Sequence, residues 1–279
     1  MMLIIQGLVV HTPDLKQLAK LAGASGIEAI TQQAFRLRDA VAETEPAVRD
    51  YCEQAQLDYG FVPEDRSLGR FGLLVMDMDS TLITIECIDE IADMVGVKPQ
   101  VSEITAAAMR GEIDFAESLT RRVALLKGLD QGALQRIYDE RLQLSPGAET
   151  MLAGMQRHGI KTLLVSGGFT FFTERLKDRL GLDYAASNTL EIVDGKLTGK
   201  VLGKILDAQG KADFLVHTRE ELELGNKQVI AMGDGANDLK MMAQASVSIA
   251  YHAKPVVRSQ ASYAFNFVGL DGLFTLFGG

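Results

Sequence analysis

The chain has 279 residues, a formal net charge of −9 and 47% hydrophobic residues, which is enough for one large domain and a small one. The acidic balance argues against nonspecific nucleic-acid binding, which needs clustered Lys and Arg, and no apolar run approaches the length of a membrane span. Cys52 and Cys87 are too few and too scattered for a disulfide framework, and the amino terminus lacks the basic flank of a signal peptide. We therefore expect a cytoplasmic protein.

Residues 1–68 predict a small α/β unit that precedes the main domain at 70–279. The pattern favours strands at 3–10, 27–35 and 59–62, and helices at 14–22 and 45–55. The unit resembles a shortened ACT domain, a fold that binds amino acids and pairs subunits, with one strand missing. A homodimer is one expectation, and a packing module without a ligand fits the pattern equally well.

The main domain opens with an apolar strand at 71–76 that ends in two aspartates, Asp77 and Asp79. A parallel strand delivers its last residues to the carboxyl edge of the sheet, where open α/β folds bind their ligands. A turn beginning at Met78 could direct one carboxylate and one backbone carbonyl to a common point, and Mg²⁺ prefers such oxygen ligands. An isolated acidic pair is equally typical of a solvated turn, so the interpretation depends on the rest of the chain.

A predicted strand at 161–165 ends in Ser166 and Gly167, just before a helix, where backbone N–H groups form an anion site. Further along the chain, Lys211 supplies a compact cation that can meet phosphate. The other predicted elements are a helix at 169–180, a β-hairpin at 190–198 around Asp194-Gly195, a helix opened by Lys211, strands at 247–251 and 263–267, and a last helix at 271–277.

The strand predicted at 229–232 leads into a glycine-rich turn that allows close approach of the backbone. This turn offers three more oxygen donors, Asp234, Asn237 and Asp238. It therefore repeats the arrangement found at Asp77, and the two turns together predict a cation site.

Taken in order from Asp77 to Asp238, these segments resemble the haloacid dehalogenase superfamily. Its four motifs are an Asp-x-Asp-x-Thr turn, a strand-terminal Ser, a Lys and a Gly-Asp-x-x-x-Asp turn. The runs DMDSTLITIECIDE, SGGF and GDGAND are more narrowly similar to the phosphoserine phosphatase family. The resemblance covers residues 70–270 and implies an α/β fold with a Rossmann-like parallel sheet. The sequence pattern also predicts a helical cap insertion at about 85–145, in which the clearest helix is at 115–126.

The cap helix places Arg122 on its apolar face, whereas Arg121 lies about 100° around the helix. A snorkelling side chain would explain Arg122. The resemblance implies instead that Arg122 clamps the carboxylate of the substrate and that Glu86 holds its ammonium. Phe115 and Met109 match cap positions that line the pocket, although core packing explains both equally well.

The resemblance implies Mg²⁺-dependent hydrolysis of O-phospho-L-serine through an aspartyl-phosphate, as the last step of serine biosynthesis. Asp77 would be the nucleophile, and Asp79 would donate and later accept a proton. The expected Mg²⁺ ligands are Asp77, the backbone carbonyl of Asp79, and Asp234. The residues expected to bind substrate are Glu86, Arg122, Ser166, Gly167, Lys211 and Asn237.

Asn237 and Asp238 could also hold the waters of the cation or orient Lys211, and Thr81 is expected to hold the nucleophile turn in shape. Three other functions remain open at this point. The phosphoryl group could pass to an alcohol such as homoserine, the substrate could be another small phosphomonoester, or the chain could be a noncatalytic amino-acid sensor. Retention of both Asp77 and Asp79 argues against the sensor.

Overall fold

The chain forms two β-sheets, which a computed structural model describes for residues 1–278. The smaller sheet belongs to the amino-terminal unit, and its strands are β1 (Met2–Gln6), β2 (Gly26–Ala29), β3 (Ala34–Arg38) and β4 (Asp58–Val62). They are antiparallel in the order β2-β3-β1-β4. Two helices, α1 (Thr12–Leu21) and α2 (Glu45–Ala55), complete a βαββαβ unit.

The prediction of one strand at 27–35 was wrong. The chain reverses at residues 30–33, and β2 and β3 pair with each other as a hairpin. No Gly or Pro marks this reversal in the sequence Ile30-Thr-Gln-Gln33, so the usual turn signal was absent. The strand thought to be missing is therefore present. The predicted strand at 3–10 is also shorter, because it ends at Gln6.

The larger sheet carries the main domain and confirms the predicted fold class. Its strands are β5 (Leu73–Met76), β6 (Lys161–Phe169), β7 (Tyr184–Val193), β8 (Lys196–Leu202), β9 (Val229–Gly233), β10 (Val247–Tyr251) and β11 (Tyr263–Phe265). The order is β11-β10-β9-β5-β6-β7-β8, and only the β7–β8 pairing is antiparallel within the described residues 1–278. The turn between β7 and β8 is the predicted Asp194-Gly195, and both residues have positive φ.

The predicted cap is an insertion between β5 and β6. Its helices are α3 (Cys87–Met94), α4 (Lys98–Met109), α5 (Phe115–Ala124) and α6 (Gly132–Glu140). An antiparallel bridge between Ile83 and Leu144 joins the points where the chain enters and leaves the insertion. Asp114 begins α5 by accepting a hydrogen bond from the backbone N–H of Glu117.

Helices cover both faces of the larger sheet, as a parallel sheet requires. They are α7 (Ala148–Arg157), α8 (Thr170–Leu180), α9 (Ala208–Glu221), α10 (Leu239–Met242), α11 (Pro255–Arg258) and α12 (Gly272–Phe277). Side chains of β5 alternate between the two resulting cores: Leu74 and Met76 enter one, Leu73 and Val75 the other. No helix within residues 1–278 is long and apolar enough to span a bilayer.

The amino-terminal sheet packs directly on the main domain. Ile4 and Val62 belong to the same apolar core as the residues around α12. Asp58, which is 1% exposed, accepts hydrogen bonds of 2.8, 2.9 and 3.0 Å from the backbone N–H groups of Asn266, Phe267 and Val268. The carboxylate at the start of β4 therefore holds the loop that follows β11.

Candidate active site

The sheet order brings the polar turns together. Strand β5 lies between β6 and β9, and all three are parallel, so their carboxyl ends share one edge. A cavity of about 710 Å³ opens at this edge beneath the cap. Its walls include most of the predicted site residues: Asp77, Asp79, Glu86, Arg122, Ser166, Gly167, Asp234 and Asn237. We call this space the catalytic cavity.

Lys211 lies beneath the cavity wall and is 1% exposed. Its Nζ lies 2.8 Å from Oδ1 of Asp77 and 2.8 Å from Oδ1 of Asp238. Burial alone would lower the pKa of Lys211, but the charges of Asp238 and Asp77 outweigh burial and raise it. The structure thus brings the predicted lysine to the predicted nucleophile, and Asp238 orients it.

Three carboxylates converge beside this lysine. Asp77, Asp234 and Asp238 each offer an oxygen atom within 4.8 Å of the others. Burial raises the pKa of Asp77, and the charge of Asp238 adds to this effect although Lys211 opposes it. Burial, with Asp238 next, likewise raises the pKa of Asp234 to about 6. One lysine leaves this cluster with excess negative charge, so the donor set suits a cation with a preference for oxygen.

Asp238 shapes the acidic turn as well as holding the lysine. Its Oδ2 accepts hydrogen bonds from the backbone N–H groups of Asp234 and Gly235, at 3.2 and 3.0 Å. The carboxylate of Asp234 is thereby aimed at the cavity. Asn237, half-buried, lines the cavity beside it.

The second aspartate of the pair, Asp79, is not one of the three clustered carboxylates. Asp79 Oδ1 accepts the backbone N–H of Cys87 at 2.9 Å, and Oδ2 accepts the hydroxyl of Ser166 at 3.5 Å. Burial, followed by the nearby charge of Glu86, raises the pKa of Asp79 to about 7. A carboxyl group of this kind can give and take a proton near neutral pH. The thiol of Cys87 is buried as expected, and burial raises its pKa.

The turn after β5 is held by hydrogen bonds to the carboxylates of Asp77 and Glu86. The Met78 N–H donates to Oδ1 of Asp77 at 2.7 Å, and Ser80 adopts a left-handed φ of 56°. Thr81 was expected to hold this turn, but its hydroxyl is buried without a hydrogen-bond partner in the described residues. Its role stays a prediction. The Ser80 hydroxyl instead donates to Glu86 at 2.7 Å, which ties the turn to the start of the cap.

At the end of the long strand β6, the Ser166 hydroxyl accepts the Gly168 N–H at 2.8 Å. The next strand supplies a residue that sequence reasoning missed. Asn188, 2% exposed, donates to the Gly167 carbonyl at 2.9 Å and accepts the Leu206 N–H at 2.7 Å. It therefore positions the glycine turn. Ser187 and Thr189 on either side of it are also polar, so nothing in the sequence set Asn188 apart.

The cap supplies the remaining wall. Glu86 and Arg122 both face the cavity, and Arg122 is half-buried with its Nε 3.3 Å from the Ser118 carbonyl. Burial lowers the pKa of Arg122, although Asp89 and Glu86 act in the opposite direction. Arg121 is exposed, as the helical spacing predicted, and it forms an ion pair with Glu117.

Two hydrophobic cap residues also lie where the resemblance put them. Phe115 and Met109 line the cavity, although Met109 remains 65% exposed. The Phe115 ring packs on Gly167, where a Cβ atom would lie only 2.8 Å from the ring. A side chain larger than hydrogen at Gly167 would therefore push the cap away from the turn at Ser166 and Gly167.

The fold and the site define a class of protein. Residues 74–243 match the family described as haloacid dehalogenase-like hydrolase, and the chain belongs to this family. Residues 3–50 match a domain of unknown function, DUF4072.

The individual relatives are more specific. A phosphoserine phosphatase from Polaromonas sp. strain JS666 is 54% identical over 217 residues, which span 76% of this chain and 92% of that protein. A hydrolase of the same family from Salmonella enterica serovar Typhi has a TM-score of 0.90 at 35% identity, covering 99% of this chain and 97% of its own. A phosphoserine phosphatase described as a phospho-aspartyl intermediate analogue has a TM-score of 0.69 at 37% identity, covering 73% and 97%.

Proposed function

We propose that this enzyme hydrolyses O-phospho-L-serine to L-serine and phosphate, as the last step of serine biosynthesis. The observation that carries the proposal is the composition of the catalytic cavity. One end has the nucleophile and acidic cluster of a phosphatase, and the cap side has Glu86 and Arg122 facing the same space. Phosphoserine carries a phosphate, an ammonium and a carboxylate, which match these three sets of groups. The names of the relatives agree with this assignment.

The residues divide the reaction between them. Asp77 attacks phosphorus in line and forms an aspartyl-phosphate as the bond to the seryl oxygen breaks. Asp79, whose carboxyl group lies outside the acidic cluster, gives its proton to that oxygen. It later takes a proton from the water that attacks phosphorus as the bond between phosphorus and Asp77 breaks. Lys211 neutralises phosphoryl oxygens at the point where it already contacts Asp77. Ser166 and the Gly167 N–H bind the transferring oxygens.

The oxygen donors of the acidic cluster suit Mg²⁺. Asp77, the backbone carbonyl of Asp79, and Asp234 would hold the ion, and Asn237 would hold a water or a phosphate oxygen. Mg²⁺ would screen the negative charge of the phosphate from the nucleophile. The cap excludes bulk water during the first step. The contact between the Phe115 ring and Gly167 marks the closed position of the cap.

Phosphate release from a panel of phosphomonoesters tests the proposal. Phosphoserine should be hydrolysed with a far higher kcat/KM than an aryl phosphate that lacks the amino and carboxyl groups, and chelation of Mg²⁺ should abolish turnover. Product analysis with added homoserine distinguishes water from an alcohol as acceptor. Similar kcat/KM values for both substrates would show that the proposed use of Glu86 and Arg122 is wrong.

A further inference from the structure

Strand β6 is irregular at the point where it reaches the catalytic cavity. Its pairing with β7 is in register at Val165 and resumes only at Phe169, which lies opposite Asn188. Three residues of β6, 166–168, therefore lie opposite one residue of β7, and we call these three residues the bulge. All three line the catalytic cavity. Bulges of this kind redirect the chain next to active sites, and they leave backbone groups without their partners in the sheet.

The side chain of Asn188 replaces one of these missing partners. Its Nδ2 donates to the carbonyl of Gly167, in the middle of the bulge, at 2.9 Å. Because Asn188 is 2% exposed, water has little access to take over this contact. A buried backbone carbonyl without a partner is costly. The amide group of Asn188 therefore holds the bulge in its position.

The same amide group also holds the segment that leads to Lys211. Its Oδ1 accepts the Leu206 N–H at 2.7 Å, and its Nδ2 lies 3.4 Å from the Leu206 carbonyl. The next residue, Asp207, is the N-cap of α9. Its side chain accepts the Gly210 N–H at 2.9 Å, and its carbonyl accepts the Lys211 N–H at 2.9 Å. One side chain thus contacts the bulge on one side and the start of the lysine helix on the other.

The two partners of this side chain require an amide. The Gly167 carbonyl needs a hydrogen-bond donor, whereas the Leu206 N–H needs an acceptor. A carboxamide offers one of each, and an ionised carboxylate of the same size offers acceptors only. Asp at position 188 would therefore keep the contact with Leu206 and lose the contact with the bulge.

We propose that Asn188 is a positioning residue for phosphoryl transfer, which aligns the bulge with Lys211. Both are assigned above to the phosphoryl oxygens, and they come from different parts of the chain. Asn188 is not among the described residues that form the wall of the catalytic cavity, so it acts through the backbone groups that it holds. A displacement of about 1 Å can cost about a hundredfold in rate. The inference rests on the proposed phosphatase chemistry but not on the choice of phosphoserine as substrate.

The kinetics of Asn188→Ala on two substrates test the proposal. We expect kcat to fall roughly ten- to hundredfold on phosphoserine and on p-nitrophenyl phosphate alike. The KM for phosphoserine should change less, because Glu86 and Arg122 are untouched. Asn226→Ala, at an exposed position before β9, is the matched control and should behave like the wild type. Asp58→Asn should lower stability without lowering kcat, which separates the two effects.

Coupling to Ser166 provides a readout that a general loss of stability would not move. If Asn188 acts through the bulge, Asn188→Ala should cost much less kcat in Ser166→Ala than in the wild type. In Arg122→Ala it should retain its full cost, since Arg122 belongs to the cap. Should Asn188→Ala not fold, Asn188→Asp keeps the size of the side chain and carries the same test. Its activity relative to the wild type should rise at low pH, where the protonated carboxyl group can donate to Gly167.

The proposal is overturned if Asn188→Ala, shown to be folded by circular dichroism, keeps the kcat of the wild type. It is also overturned if the loss is the same with and without Ser166→Ala, or if Asp58→Asn loses as much kcat as Asn188→Ala. Hydrolysis of phosphoserine by the wild type decides the proposed function. The ratio of variant to wild-type kcat on p-nitrophenyl phosphate decides this inference, so the two can fail separately.

Discussion

Nζ of Lys211 lies 2.8 Å from Oδ1 of Asp77, and the two side chains are 1% and 6% exposed. The lysine comes from the first turn of α9 and the aspartate from the end of β5. The contact therefore fixes the proposed nucleophile against a second element, and Asp238 holds the lysine from its other side. Charges arranged in this way before substrate binds need little reorganisation in the transition state.

Asp77→Asn should abolish turnover and phosphoenzyme formation, because an amide is a poor nucleophile and the variant also loses a charge that would bind the metal. Rapid acid quenching of the enzyme with ³²P-labelled substrate measures the phosphoenzyme directly. A phosphoenzyme in Asp77→Asn would assign the nucleophile to another residue.

Lys211→Met should both inactivate and destabilise the enzyme. Removing one partner of a buried ion pair costs roughly 3–5 kcal/mol, because the remaining charges stay buried and unpaired. Urea unfolding in the presence of a chelator measures this loss. Lys240→Met, an exposed lysine on α10, is the control and should unfold like the wild type. Equal stability of the two variants would mean that Lys211 is not needed to balance Asp77 and Asp238.

The loss of activity in Asp79→Asn should depend on the leaving group of the substrate. The variant keeps its backbone carbonyl but cannot protonate the departing seryl oxygen, which is a poor leaving group as an alkoxide. Release of p-nitrophenolate, which needs no proton, should be affected much less in the first turnover. The measurement is a stopped-flow burst with p-nitrophenyl phosphate beside single-turnover hydrolysis of phosphoserine. Equal losses on the two substrates would argue for a structural or metal-binding role.

The position of the candidate active site at the carboxyl edge of the larger sheet could be predicted, because local patterns and topology point to the same place. Three of the four motifs follow an apolar strand, and parallel strands must end at one edge, so Asp77, Ser166 and Asp234 had to approach one another. The cap helix was predictable because its apolar residues recur at helical spacing on one face, and this face includes Arg122 but not Arg121.

Other features depend on contacts between distant parts of the chain. Asn188 holds the Gly167 turn from a neighbouring strand, and Asp58 holds a loop more than 200 residues away. Neither has a local signal of its function, because its partners are backbone groups that any sequence supplies. The hairpin between β2 and β3 was missed for another reason: pairing across the sheet outweighs the weak local turn preference at 30–33.

Arg122→Ala and Glu86→Gln should cripple phosphoserine hydrolysis and affect a small aryl phosphate much less. Removing one partner of a desolvated charge pair costs roughly 2–5 kcal/mol, or about tenfold in kcat/KM for every 1.4 kcal/mol. Arg122→Lys should recover little, because a lysine cannot form the two parallel hydrogen bonds of a guanidinium. The comparison is of kcat/KM for both substrates in each variant.

Arg121→Ala is the matched control for Arg122, since it removes an exposed guanidinium one residue away on the same helix. It should leave both substrates unaffected. A larger effect from Arg121 than from Arg122 would mean that the wrong face of α5 had been assigned to the substrate. Equal losses on both substrates in Arg122→Ala would make that residue part of the structure or of general catalysis.

The contact between the two units sets the last expectation. Asp58→Asn should destabilise the protein by about 1.5–3 kcal/mol, because the three backbone N–H groups of the 266–268 loop lose a charged acceptor. Asp50→Asn, an exposed carboxylate on α2, is the control in the same urea titration.

A chain shortened to begin at Ser67 removes the contact between the two units altogether and uncovers the apolar surface around α12, so we expect lower stability. Every proposed catalytic residue lies beyond Ser67, and a shortened chain that is folded by circular dichroism should therefore still hydrolyse phosphoserine. Complete inactivity of a demonstrably folded shortened chain would mean that the amino-terminal unit contributes to catalysis itself.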